Sequence, residues 1–164
     1  DIMALWNNVL SATDVLTSLS GGYITYDWGS DFSTLNAAGK FSGEVVRYGT
    51  PISMTTGKIY ALNTAWVLAD KDTVAHGQKQ LGVATGSSTN AIPADGMLIK
   101  GIIRVSTIGG TGNNGDVLYL GDSGDVTYDA PTAAGDIVRP IGYSVNETTK
   151  IIYFDPDKTW VELS

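Results

Sequence analysis

The sequence predicts a mainly β chain: a compact β-barrel or sandwich carrying a short helical or extended N-terminal arm. Three observations lead there. From Tyr23 onward, short runs rich in β-branched and aromatic residues recur, separated by Gly, Thr, Asn and Asp. The chain holds 20 Gly and 5 Pro in 164 residues, which suits frequent turns between short strands. Helical spacing is confined to residues 2–19.

In that first stretch Ile2, Leu5, Trp6, Val9 and Leu10 fall three or four residues apart, and Val15, Leu16 and Leu19 repeat the spacing. Thr13 or Ser11 suits an N-cap and Gly21-Gly22 a stop. Residues 1–22 are therefore expected to form two short helices or an arm, and residues 23–164 the β domain.

Tyr23–Tyr26 reads as a strand and Trp28–Lys40 as a loop. Strands are expected at Glu44–Tyr48, Lys58–Leu62, Ala65–Ala69 and Leu81–Thr85. Met97–Val105 alternates most clearly, with Met97, Ile99, Ile103 and Val105 on one face and Lys100 and Arg104 on the other. Val117–Leu120 and Val126–Tyr128 flank Gly121-Asp122-Ser123-Gly124 as a hairpin. In Ile137–Val145 the residues Ile137, Ile141, Tyr143 and Val145 are expected on one face. Lys150–Phe154 and Thr159–Leu163 close the chain, with Asp155-Pro156-Asp157 as the turn between them. A weak repeat sets Gly49–Met54, Gly57–Ile59 and Leu81–Ala84 beside Gly115–Leu120, Gly124–Val126 and Ile141–Ser144. It suggests two similar β units within 49–84 and 115–144.

Composition narrows the function. The net charge of −7 repels phosphate, and no cluster of Lys or Arg offsets it, so nucleic acid is not an expected partner. Charged residues make up only 16% of the chain, which fits a surface partly covered by partner subunits. With no cysteine, stability has to come from packing or oligomerisation. No apolar run approaches the about 20 residues of a membrane span. Asp1–Ser20 lacks a cationic stretch ahead of its apolar positions and does not read as a signal peptide.

Catalytic motifs are weak. The single histidine, His76, lies in polar sequence with no cysteine or G-x-S-x-G serine to activate, and reads as an exposed loop residue. Asp116, Asp122 and Asp125 lack the calcium-loop pattern and read as hairpin chemistry. Gly110–Gly115 spells G-x-G-x-x-G, but a strand rather than a helix is expected after it, which removes the pyrophosphate site. Asp27, Asp31 and Glu44 are acids near aromatic residues, without a spacing that makes them a glycosidase pair. Asn146-Glu147-Thr148 is a glycosylation sequon. No catalytic residue, metal or cofactor is expected.

Gly115–Leu120, Ala134–Arg139, Ile141-Gly142-Tyr143 and the string Ile152–Leu163 together resemble a module of tailed-phage virion proteins, including marine-phage tail fibres. Gly49–Val105 resembles the β-tulip type of capsid decoration, or cement, protein. The resemblance implies a non-enzymatic virion component, often a homotrimer. The leading expectation is a capsid decoration or head-fibre protein on the particle surface, binding the major capsid protein and its own copies. The alternative is a trimeric tail-fibre or receptor-binding domain that recognises a host surface glycan. Capsid or subunit contact is expected at Trp6, Val9, Leu10, Leu16, Tyr26, Trp28 and Trp160, since Trp and Tyr suit contact surfaces.

Overall fold

A computed structural model describes Phe32, residues 34–50 and residues 52–164. The expected arm, with Trp6, Val9, Leu10 and Leu16, lies outside the described residues, as do Tyr26 and Trp28. The described part is mainly β. Its strands are β1 (Phe41–Val46), β2 (Ile59–Leu62), β3 (Trp66–Leu68), β4 (Gln80–Ala84), β5 (Met97–Arg104) and β6 (Ile108–Gly109). They continue with β7 (Val117–Leu120), β8 (Val126–Thr127), β9 (Ile137–Val138), β10 (Pro140–Asn146), β11 (Ile151–Phe154) and β12 (Val161–Glu162). One short helix, α1 (Val74–Gly77), precedes β4.

The main sheet runs β3-β2-β4-β5-β11-β10-β7-β8-β6, with β1 added on β5, and curls into a half-barrel. β9 and β12 form a separate pair. Two blocks of this sheet are wired alike. In the first half, β2 pairs antiparallel with β3 and β4, and β4 pairs with β5. In the second, β7 pairs antiparallel with β8 and β10, and β10 pairs with β11. β5 and β11 join the halves antiparallel, with Ile103 opposite Ile152 and Gly101 opposite Phe154.

One local device recurs four times. Ala37-Ala38-Gly39-Lys40, Thr55-Thr56-Gly57-Lys58, Asn113-Asn114-Gly115-Asp116 and Ala133-Ala134-Gly135-Asp136 each lead into a strand. In every one the fourth N–H donates to the first carbonyl, at 3.1–3.3 Å. The third residue is a glycine with φ of +83°, +74°, +90° or +89°, the left-handed region that a type II turn requires there. Each glycine N–H then donates to a partner carbonyl, and that partner's N–H donates back to the carbonyl after the glycine. The partners are Arg104, Ala84, Ser144 and Leu163, and these bonds measure 2.7–3.0 Å. The turn thus fixes the strand's register before any side chain packs.

This register aligns Gly115–Leu120 with Gly57–Leu62. Gly49–Met54, expected from the sequence to match Gly115–Leu120, forms no strand: Thr50 and Met54 make isolated bridges to Ala65 and Ser88.

The core has two parts. The larger one gathers Ile59, Ala61, Leu81, Val83 and Leu98 from the first half with Leu118, Leu120, Val126, Ile141, Ile152 and Phe154 from the second. The smaller one lies on the other face of the first half. There Tyr60, Trp66, Ala84 and Met97 pack with Met54 under Val46, Ile52 and Ile92. Trp66 is fully buried and donates its indole N–H to the Tyr48 carbonyl at 2.6 Å.

β-Bulges correct two expected faces. Glu44 lies opposite Lys100 and Val45 opposite Leu98, so Ile99 is the extra residue of β5. Alternation changes phase there. Leu98 joins Ile103 and Val105 in the larger core, while Met97 goes to the smaller one. A close approach of two backbones follows the bulge. Gly43 and Gly101 are directly opposed, and a Cβ on Gly101 (φ +139°) would run into the Ser42 carbonyl and lie 2.6 Å from the Gly43 Cα. In the region expected as Ile137–Val145, Arg139 breaks the strand in two, and the register shifts on either side of Gly142–Ser144. Ile141 is consequently buried, whereas Tyr143 is 51% exposed.

Candidate interaction surface

The phase changes decide which side chains face outward. The pairing registers align Ile59 with Val117, Ala61 with Tyr119, Val83 with Tyr143 and Leu98 with Tyr153. The first member of each pair is wholly buried; each second member is half-buried or exposed. Tyr143 stands directly opposite Tyr153 on β11 and Val117 on β7, so these side chains share one face. Tyr119 lies two residues beyond Val117 on that same face.

A groove of about 550 Å³ runs between Tyr119 and Tyr143 and the turn Asp155–Lys158. The turn is held from below. Asp155 N–H donates to Ile141 and Asp157 N–H to Pro140, at 2.9 and 3.0 Å. The Asp157 carboxylate accepts from the Thr159 N–H and hydroxyl, both at 2.9 Å. Those bonds hold it below the usual carboxylate range. Arg139, 5% exposed, donates Nε to the Asp157 carbonyl at 2.8 Å. Its Nη1 donates to the carbonyls of Gly77 and Lys79 at 2.6 and 2.5 Å. Burial lowers the Arg139 pKa, partly offset by the Asp157 charge. The pattern missed by sequence reading is a buried arginine that serves three main-chain carbonyls; composition gives no sign of it.

A second polar cluster ties the exit of β3 to the tip of the β7–β8 hairpin. Lys71 pairs with Asp72, with Asp122 at 3.1 Å and with Asp136 at 3.2 Å. Its ammonium is stabilised well above the ordinary lysine value, foremost by Asp72 and against the opposing effect of burial. Asp70 accepts from the N–H groups of Asp72 and Ser123. The hairpin tip Gly121–Gly124 is thereby docked on the exit from β3, and Gly124 N–H also donates to Ala69 at 2.7 Å. The carboxylates of Asp70, Asp72 and Asp122 are mutually close, and Lys71 pairs with two of them, Asp72 and Asp122.

The acidic residues expected to serve the hairpin reach further than it, Asp122 joining the Lys71 cluster. Asp125 pairs with Lys58 at 2.7 Å, and the Asp116 carboxylate accepts from the Asn113 N–H inside its turn. Gly110–Gly115 leads into β7, and a Cβ on Gly112 would overlap the Tyr128 ring, so packing explains that glycine. His76 departs from expectation. It lies in α1 rather than an exposed loop, is half-buried, and its Nδ1 is buried without a partner. A single helical turn is too short to show the periodicity that would have revealed it. Glu44 is exposed and faces Lys100 across β1 and β5, while Asp27 and Asp31 lie outside the described residues. Asn146 of the sequon accepts from the Thr149 N–H at 2.9 Å, so its side chain shapes the turn before β11. Trp160, expected at a contact surface, is half-buried.

Among the described residues no helix is long and apolar enough to cross a membrane. No protein family, curated protein or solved structure matches this chain.

Proposed function

We propose that this chain is a non-enzymatic structural protein of a tailed-phage virion, a capsid decoration or head-fibre protein that binds the major capsid protein and its own copies, most simply as a trimer. One observation carries the reading. The strings that resemble tailed-phage virion proteins fall on strands of the described part: Gly115–Leu120 is β7 with its entry turn, Ala134–Arg139 holds β9, Ile152–Leu163 spans most of β11, the following turn and β12, and Gly49–Val105, the stretch likened to decoration proteins, holds β2 to β5. The likeness therefore falls on elements that set the fold. The perturbed ionisable groups add support. Lys71, Asp72, Lys100, Arg139 and Asp157 each have a partner with an architectural role. In this reading the β domain sits on the shell, and residues 1–22 reach a capsid protein or a sister subunit through Trp6, Val9, Leu10 and Leu16.

The test is localisation of the full chain in purified particles of the virus that encodes it, by labelled-antibody electron microscopy. Label on the head lattice supports decoration. Label confined to the tail transfers the chain to the fibre reading. Absence from particles overturns both.

A further inference from the structure

We propose that the groove between the start of β4, the middle of β5 and the turn after β11 is a binding site for a phosphate dianion, either inorganic phosphate or the phosphate of a small monoester. The sheet itself opens this groove. β4 pairs with β5 only as far as Leu98, and β11 takes over from Gly101. The bulged residue Ile99 and its neighbour Lys100 lie between the two ladders and line a groove of about 580 Å³. That volume falls in the range of small-molecule sites.

Charge sets the ligand. Four of the chain's ten Lys and Arg residues line this one groove: Lys79, Lys100, Arg139 and Lys158. They come from four separate segments, so no basic run in the sequence announces them. Two carboxylates accompany them, and both face Lys100. Asp155 pairs with it at 3.1 Å, and Glu44 stands directly opposite it on β1. Lys79, Arg139 and Lys158 have no carboxylate ion-pair partner among the described residues. The groove therefore holds an excess of two positive charges on a chain whose net charge is −7. A phosphate monoester carries between about −1.5 and −2 at neutral pH, which matches that excess.

Arg139 is the built part of the site. It is 5% exposed, and its partners among the described residues are the main-chain carbonyls of Gly77, Lys79 and Asp157. These hold the guanidinium in place without neutralising it, and its Nη2 has no hydrogen-bond partner among the described residues. A buried charge without a counterion is costly. Burial lowers the Arg139 pKa, and the Asp157 carboxylate, itself engaged by Thr159, offsets this only in part. A phosphate oxygen would supply both the missing acceptor and the missing charge. Because the guanidinium is already fixed, binding orders little else.

Other occupants fit less well. A cation meets the excess positive charge, and a neutral ligand leaves Arg139 uncompensated. A nucleic acid has to cross the rest of the surface, which is more negative than the chain as a whole.

Phosphate binding does not rest on a place in the virion, since localisation in particles and ion binding fail independently. The experiment is an NMR titration of the full chain with inorganic phosphate and, separately, with glycerol 2-phosphate, at neutral pH and at an ionic strength held constant with sodium chloride. Saturable amide shifts at Lys79, Lys100, Arg139 and Lys158 are expected. Saturation by both compounds supports the site and assigns it to monoesters; saturation by inorganic phosphate alone supports it and assigns it to the free ion. Lys79→Ala and Lys158→Ala, at exposed side chains, should keep the native amide spectrum and each weaken binding about threefold, and the double variant about tenfold. Lys40→Ala, at an exposed lysine outside the groove, should leave binding unchanged. No saturable shift with either compound overturns the proposal, as does undiminished binding in the double variant. A loss in Lys40→Ala equal to that in Lys158→Ala also overturns it, by showing attraction to general charge or an adventitious ion only.

Discussion

In the first half of the sheet, Ile59, Ala61, Val83 and Leu98 are wholly buried; at the matching positions of the second half stand Val117, Tyr119, Tyr143 and Tyr153, turned outward. The connectivity, the entry turns and the pairing partners are the same. The bulge at Ile99 makes the difference, because it exchanges the two faces of the sheet between the halves. The larger core is therefore filled from opposite faces of equivalent strands. The first half needs a second core of Met54, Tyr60, Trp66, Ala84 and Met97 to cover its remaining face. The second half leaves that choice open and carries tyrosine there, a residue that tolerates both burial and water. Equal backbones thus support unequal surfaces.

The comparison is broken most severely at the bulge. Gly101→Val forces a side chain into the Ser42 carbonyl at a backbone angle that valine rarely adopts, so a loss of about 4 kcal/mol is expected in urea unfolding. A reciprocal exchange sharpens it. Val83→Tyr overfills the sealed half and should lose about 3 kcal/mol. Tyr143→Val in the open half should change stability by no more than about 0.5 kcal/mol. Equal losses at the two positions would mean that the outward face is covered.

The mildest effect is expected with pH. Asp72 and Asp157 both have folded pKa values below their unfolded ones, lowered foremost by Lys71 and by the Thr159 N–H. Their stabilisation is complete above the unfolded value of about 3.9. It is lost as pH falls through the lower folded values. Amide exchange at the tip Gly121–Gly124 and at Asp157–Thr159 should rise in that acid window while the β4 and β5 amides remain protected.

The positions of the strands were legible in the sequence because turn residues and β-formers act locally. Val117–Leu120 was read to the residue, and the four entry turns are written as small-x-Gly-Lys or small-x-Gly-Asp strings. The facing of the strands was not legible. A bulge depends on the partner strand's register, so strict alternation misassigned Ile99 and set Ile141 and Tyr143 on one face. β6 escaped notice because two residues of a glycine-rich segment pair in parallel with β8. The groove wall was legible only as a proline turn; the arginine that fixes it comes from a distant strand break. Of the expected contact residues only Trp160 belongs to the described part.

The four clasped turns also order the chain in time. Gly57 closes on Ala84, Gly115 on Ser144 and Gly135 on Leu163, each within thirty residues, whereas Gly39 closes on Arg104, more than twice as far along. Each doubling of a loop adds about 0.6 kcal/mol of closure entropy. The three short clasps can therefore form independently at similar cost, and β1 is added last to a sheet already standing. Once added it is held by the longest ladder among the described strands, six paired positions from Phe41 opposite Ile103 to Val46 opposite Met97.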